Sequence, residues 1–154
     1  MSSLSIVGTG SFLPGRAYTN EDLARVMDTT DEWIQKRTGI SQRYYAPEGV
    51  GASDLALEAS KRALAAARMA PEDLDYILFA TMTPDFILPG SAPVLGAKLG
   101  AVGTPALDIR QQCAAMIYAL QLSDALLASG HASRILEHLH HAGSASLRDD
   151  ALRA

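Results

Sequence analysis

The sequence predicts an α/β fold with a mostly parallel sheet and a buried central helix. Three observations predict it. Strand-like and helix-like segments alternate along the chain. The run Tyr76-Ile77-Leu78-Phe79-Ala80-Thr81 is continuously apolar between turn residues, as in a strand covered on both faces. The segment from Ala114 to Ala128 carries apolar residues on nearly every side, the pattern of a helix buried all round.

Taken in order, Leu4 to Gly8 reads as a strand that runs into the turn Gly8-Thr9-Gly10 and Pro14. Asn20 is placed to cap a short helix through Met27. Thr29 followed by Glu32 has the spacing of a capping box, and Asp31 and Glu32 suit the positive end of the helix that follows. That helix stops near Thr38-Gly39. Residues 41–52, with Pro47, Gly49 and Gly51, read as loop. Ser53 is expected to cap an alanine-rich helix to about Met69, with Leu55, Ala59, Ala63 and Ala67 on one stripe. Pro71 marks another short helical start. After the strand at 76–81, Thr83 to Ser91 is a loop, unusually apolar at Phe86, Ile87 and Leu88. A helix over about Ala92–Leu99 ends at Gly100, Ala106–Ile109 is a short strand, and Cys113 opens the apolar helix, which Ser129-Gly130 closes. Arg134-Ile135-Leu136 starts like a strand and then stops. No hairpin and no internal repeat is evident.

The 154 residues suit one ordinary domain. Thirteen basic against 17 acidic residues give a net charge of −4, which excludes a basic stripe for duplex nucleic acid. Hydrophobic residues reach 48% while charged ones are only 19%, so the chain is built to bury faces. One cysteine excludes an internal disulfide framework and a cysteine-rich zinc site. No apolar run approaches the roughly 20 residues of a membrane span, and no basic-then-apolar leader is evident. The expected address is the cytoplasm, with neither membrane nor nucleic acid as partner.

The character changes after residue 136, which divides the chain into 1–136 and an atypical polar tail at 137–154. Three of the four histidines, His138, His140 and His141, fall in that tail. A metal site there lacks a familiar carboxylate spacing. A polar, partly ordered terminus is the reading preferred well ahead of a metal site, and the abrupt loss of pattern favours a chain shortened or frameshifted near residue 136 as its cause.

Among candidate chemical groups, Gly8-x-Gly10 lacks the third glycine and the helix start of a dinucleotide fingerprint, because Leu13 and Pro14 stand there. Cys113 is the strongest candidate. It sits where a short strand meets the first turn of a helix, whose unpaired amides favour negative charge, and a thiolate is the nucleophilic form of sulfur. The alternative is an inert, buried cysteine. Trp33 and Arg37, four apart on one helical face, form either an aromatic and cationic platform for a nucleotide moiety or a packed edge of the core.

Four strings carry a family resemblance: Ile6 to Pro14, Thr30-Asp31-Glu32-Trp33-Ile34-Gln35-Lys36-Arg37-Thr38-Gly39-Ile40, Ala80-Thr81-Met82-Thr83-Pro84-Asp85, and Asp108 through Cys113. Over about residues 1–136 the sequence resembles β-ketoacyl-acyl-carrier-protein synthase III, a condensing enzyme of the thiolase-like layered fold. The resemblance implies a fold of two similar halves, of which this chain looks like the N-terminal one. It implies an acyltransferase of fatty acid or related polyketide biosynthesis. Cys113 would take an acyl group from acyl-CoA and then condense with decarboxylating malonyl-acyl carrier protein. It further implies that Trp33 and Arg37 hold the CoA adenine, that Thr29 lies near CoA, and that Leu88 lies at the acyl pocket across a homodimer. Acyl-CoA is then a substrate, with no metal and no separate cofactor. Two departures stand out. Ala115-Met116 replaces the family's usual glycine and aromatic after the nucleophile, and no stretch matches the family's catalytic histidine and asparagine. The chain alone is therefore expected to lack full condensing activity; the alternative is a non-catalytic fragment that at most dimerises or binds CoA.

Overall fold

The computed structural model describes residues 4–140. The tail readings that involve His141 and beyond lie outside the described residues. The chain separates into two compact units, one of residues 13–49 and one of residues 4–12 and 50–140.

In the smaller unit, β1 (Ala17–Thr19) and β2 (Gln42–Tyr44) pair antiparallel and enclose α1 (Asn20–Ala24) and α2 (Asp31–Thr38). These strands are three residues each, too short for alternation to reveal them, and the sequence reading missed both. The caps fall one residue away from expectation. Thr19 caps α1, its Oγ1 accepting from the Asp22 amide at 3.2 Å. Asn20 instead lies fully buried, where Nδ2 donates to Asp31 at 2.6 Å and to the Ile40 carbonyl at 2.8 Å while Oδ1 accepts from Arg43. Thr30, not Thr29, caps α2 by accepting from the Trp33 amide at 3.1 Å. Gly39 ends α2 with φ 70°, a left-handed conformation that glycine takes without steric penalty.

The larger unit contains α3 (Ala52–Ala67), β3 (Tyr76–Ala80), α4 (Ala92–Leu99), β4 (Ala106–Ile109), α5 (Ala115–Ala128) and β5 (Ile135–Leu139). Its sheet has the order β4-β3-β5, and both pairings are parallel. Ile77 and Phe79 face the core built with Ala52, Ala56 and Leu64 of α3 and Leu95 of α4. Leu78 is equally buried on the opposite face, so β3 is covered on both sides as its composition predicts.

Four expectations are corrected here. Leu4–Gly8 is not a strand: it pairs with neither sheet, and Ile6 and Val7 are largely exposed. Its glycines do not serve a turn. They let the backbone lie against α3, since a Cβ on Gly10 would stand 2.2 Å from the Ala59 carbonyl oxygen. The buried stripe of α3 is Ala52, Ser53, Ala56, Ala59, Ser60 and Leu64, rotated from the stripe expected, because Ala63 and Ala67 lie toward the Gly8–Gly10 backbone. Finally, β5 does not stop at Leu136. It continues through Glu137, His138 and Leu139, because the parallel ladder with Leu78, Phe79 and Ala80 supplies backbone partners whatever the side chain.

That extension places His138 beside Phe79, with ring centroids 4.7 Å apart and Nε2 buried without a hydrogen-bond partner. Burial, with the nearby His140, pushes the His138 imidazole down to about 4. The unfolded chain binds this proton near 6.5, so acidification between those values favours unfolding. Glu137, raised by burial, acts in the opposite sense, because the fold holds its proton at higher pH than the unfolded chain does. Urea unfolding of the native chain against His138→Val should therefore show a native-only loss of roughly 2–3 kcal/mol between pH 7 and 4.5. Equal pH dependence in the two proteins would refute the assignment.

Candidate functional site

Parallel pairing sends the chain out of β3 and β4 at the same edge of the sheet. The segment leaving β4 carries Cys113. After Ile109 the backbone turns sharply: Gln111 adopts φ −130° and ψ 37°, and Gln112 adopts φ 44°. A left-handed glutamine is uncommon and costs on the order of 1 kcal/mol. A 3₁₀ turn over Gln112–Ala114 then leads into α5, with the Ala114 amide donating to the Gln111 carbonyl at 3.1 Å. This strained connection presents Cys113 as an exposed free thiol immediately ahead of a 14-residue helix. The buried-cysteine alternative is thereby removed.

The helix behind the thiol is not buried all round within this chain. Only Ala115, Ala119 and Ser123, spaced by four, are buried, while Met116, Ile117 and Tyr118 stand in solvent, Ile117 at 62% exposure. One helical face meets the sheet, and among the described residues nothing covers the rest.

The segment leaving β3 is the loop 83–91, and its tip is also bare, with Leu88 at 85% exposure. Its base is anchored by a half-buried polar chain that sequence reasoning missed. Asp85 accepts from the Ser53 amide at 3.0 Å and the Ser53 hydroxyl at 3.0 Å, holding the first turn of α3. Ser53 was expected to cap α3; the first α3 residue follows Gly51, and Asp85 reaches across from the loop to do that work. Ser91 Oγ donates to Asp85 at 2.6 Å and accepts from the Asp85 amide at 2.9 Å. Asp108, on β4, accepts from the Ser91 amide at 2.8 Å and from the Ala92 amide at 3.2 Å, at the start of α4. Lys98 closes the chain by donating to Ser53 Oγ at 2.8 Å. Gly90, at φ 102°, is required here, because a Cβ would stand 2.3 Å from an Asp108 carboxylate oxygen. The available signal was Asp108 itself, a carboxylate in an otherwise apolar short strand.

In the smaller unit, Trp33 is 54% exposed and the Arg37 guanidinium lies 4.8 Å from its ring centroid. This is an open stacked pair, not a packed core edge. The Thr29 hydroxyl is buried without a hydrogen-bond partner. Among the described residues there is no group of three or more His, Cys, Asp or Glu able to hold a metal, and no helix long and apolar enough to cross a membrane.

The backbone at Gln112 yields a direct expectation. Gln112→Gly should leave stability within about 1 kcal/mol and keep iodoacetamide alkylation of Cys113 within twofold. Gln112→Val should lower stability by more than 1 kcal/mol, measured by urea unfolding, since a β-branched residue strongly resists positive φ. Equal tolerance of both substitutions would show that the turn is not strained.

No family model matches the chain. Among curated relatives, "Beta-ketoacyl-[acyl-carrier-protein] synthase III 3" of Streptomyces coelicolor is 48% identical over 131 residues, which cover 85% of this chain and 39% of that protein. The synthase III of Xylella fastidiosa is also 48% identical, again over 85% of this chain and 40% of its own length. Among solved structures, 3-oxoacyl-[acyl-carrier-protein] synthase III of Aquifex aeolicus superposes with a TM-score of 0.81 at 43% identity, covering 86% of this chain and 42% of that one. The priming β-ketosynthase of the R1128 polyketide pathway gives 0.80 at 29% identity, covering 87% and 41%. The chain thus spans about two fifths of the length of these relatives. In sequence and in fold, this chain is similar over about 85% of its length to part of the β-ketoacyl-[acyl-carrier-protein] synthase III enzymes, whose thiolase-like α/β architecture it shares there.

Proposed function

We propose that this chain supplies the acyl-accepting part of a condensing acyltransferase. The Cys113 sulfur attacks the carbonyl carbon of an acyl-CoA. The tetrahedral adduct collapses with loss of the CoA thiolate, which takes up a proton, and a thioester remains on Cys113. The acyl group then passes to the enolate formed when malonyl-acyl carrier protein loses CO2, releasing the Cys113 sulfur. The observation that carries this reading is an exposed thiol held by a strained strand-to-helix turn, in a chain similar along most of its length to synthase III enzymes. The first turn of α5 offers partial positive charge to the anion that forms on the carbonyl oxygen.

The exposed Trp33–Arg37 pair supports assignment of these residues, with Thr29, to CoA. The bare apolar tip at Phe86, Ile87 and Leu88 supports a homodimer in which Leu88 lines the acyl pocket, and a cytoplasmic enzyme that uses acyl-CoA and acyl carrier protein completes the proposal. Acyl transfer and condensation make different demands. Condensation builds an enolate, and each donor aimed at that charge is typically worth about 3 kcal/mol. The histidine and asparagine that the resemblance assigns to that task have no match in these residues, so acyl transfer is the activity assigned to this chain by itself.

Incubation with acetyl-CoA followed by intact-mass measurement should show one acetyl adduct, absent in Cys113→Ala. Addition of malonyl-acyl carrier protein should yield little or no condensation product. A folded chain that takes no adduct would reduce the role of these residues to dimerisation or CoA binding. Calorimetric titration with CoA should give saturable heat that Trp33→Ala weakens at least tenfold, about 1.4 kcal/mol; unchanged affinity would remove Trp33 from the site.

A further inference from the structure

We infer that Asn20 is a positioning residue for CoA, holding α2 so that Trp33 and Arg37 present one stacked face. The inference rests on the assignment of that pair to CoA proposed above and goes beyond it, since Asn20 has no part in that assignment. The smaller unit has little apolar core of its own. Of α2 only Ile34 is buried, and of α1 only Asn20, which is fully buried. The amide of Asn20 puts directed bonds where a hydrophobic centre would otherwise stand. Nδ2 donates to Asp31 Oδ1 at 2.6 Å, on the first residue of α2, and to the Ile40 carbonyl at 2.8 Å, just beyond the Gly39 that ends the helix. Oδ1 accepts from Arg43 Nη2 at 2.6 Å, on β2, and the same guanidinium donates to the Thr19 carbonyl at 3.3 Å.

These partners leave the amide one orientation. Arg43 can only donate, while the Asp31 carboxylate and the Ile40 carbonyl can only accept. The amide therefore lies between a cation and an anion with its dipole aligned to both, and two of its three bonds are charge-assisted. The Asp31 carboxylate is held below the usual carboxylate range, first by Gln35 and then by Asn20. One side chain thus grips α2 at both ends. Thr29 falls on the chain between Asn20 and Asp31, and Trp33 and Arg37 fall between Asp31 and Ile40. Every residue assigned to CoA lies in one of the two stretches that this amide closes. Trp33 and Arg37 stack on each other from the same helix, with Trp33 54% exposed, so the platform faces wherever α2 faces. A platform set in advance binds more tightly than one ordered at the moment of binding, because less freedom is lost. Asn20 touches no ligand in this account; it acts through α2.

Asn20→Asp, and the exchanged pair Asn20→Asp with Asp31→Asn, test the inference in the full chain. Asn20→Asp keeps the shape, removes both donors and sets two carboxylates together. The exchange returns a donor to the same gap from the other side, and Arg43 keeps an acceptor in both. CoA affinity by calorimetry should fall at least about tenfold in Asn20→Asp and recover to within about threefold of native in the exchange. In a Trp33→Ala background, Asn20→Asp should weaken CoA by no more than about threefold, because the platform it orients is already gone. The full loss in that background, or native affinity in Asn20→Asp, would overturn the inference and leave a purely structural role. Asp31→Ala, at a half-buried position, removes the same bond without burying charge and should weaken CoA at least about threefold. Unchanged affinity there would overturn the inference even if Asn20→Asp does not fold. Trp33 is the only tryptophan, so its motion can be read without ligand. The amplitude of fast indole motion, from the decay of fluorescence anisotropy, should rise at least about twofold in Asn20→Asp and in Asp31→Ala and return toward native in the exchange. Unaltered motion in both would overturn the inference even if the native chain gives no heat with CoA. That last outcome in the native chain would count against the CoA reading alone.

Discussion

Parallel pairing of β3 with β4 is the constraint on which the rest depends. Two parallel neighbours must release their chains at the same edge of the sheet, and in open α/β sheets that carboxyl edge is where ligands bind. Here β3 releases the loop ending in Leu88-Pro89-Gly90-Ser91, and β4 releases the turn ending in Cys113. Their exit at one edge of the sheet is a consequence of topology before any side chain is considered. The side chains then lock it: Asp108 bonds back to Ser91 and Ala92, so the two exits share a carboxylate.

Polar groups organise the base of the loop at this edge, while its apolar tip stays exposed. Ser53, Ser91 and the carboxylates of Asp85 and Asp108 replace packing with directed bonds, and each buried member has a partner. The apolar surface of the unit is distributed differently. Around β3 it forms a closed core, but on α5 it continues past the buried stripe into solvent at Met116, Ile117 and Tyr118. A helix of that composition has more apolar surface than the sheet of this chain can cover. The low proportion of charged residues, 19%, is the compositional trace of the same fact.

Much of this was legible in the sequence where a segment is decided by its own residues. Tyr76–Ala80 declares a doubly buried strand, Ala92–Leu99 is bounded by its proline and glycine, and Cys113 announces itself as the lone cysteine at a strand-to-helix junction. What failed was set by partners. Leu4–Gly8 has the composition of a strand but no neighbouring strand among the described residues, so it lies on α3 through its glycines. The residues Glu137-His138-Leu139 look unlike a strand, yet the open ladder beside β3 takes them in. The cap of α3 comes from Asp85, thirty-two residues away from Ser53, a distance at which no local capping rule operates. The resemblance to synthase III was carried by short strings whose conformations are local, the turn around Cys113 and the helix bearing Trp33, which is why it could be read without the structure.

The shared exit of Cys113 and the apolar loop can be tested without relying on catalysis. An alkyl methanethiosulfonate bearing a terminal diazirine is attached to Cys113 as a mixed disulfide, irradiated, and the crosslinked peptide mapped by mass spectrometry after digestion. Crosslinks concentrated in residues 83–91, centred on Ile87 and Leu88, are the predicted result. A map that leaves this loop unlabelled while marking other parts of the chain would contradict the account.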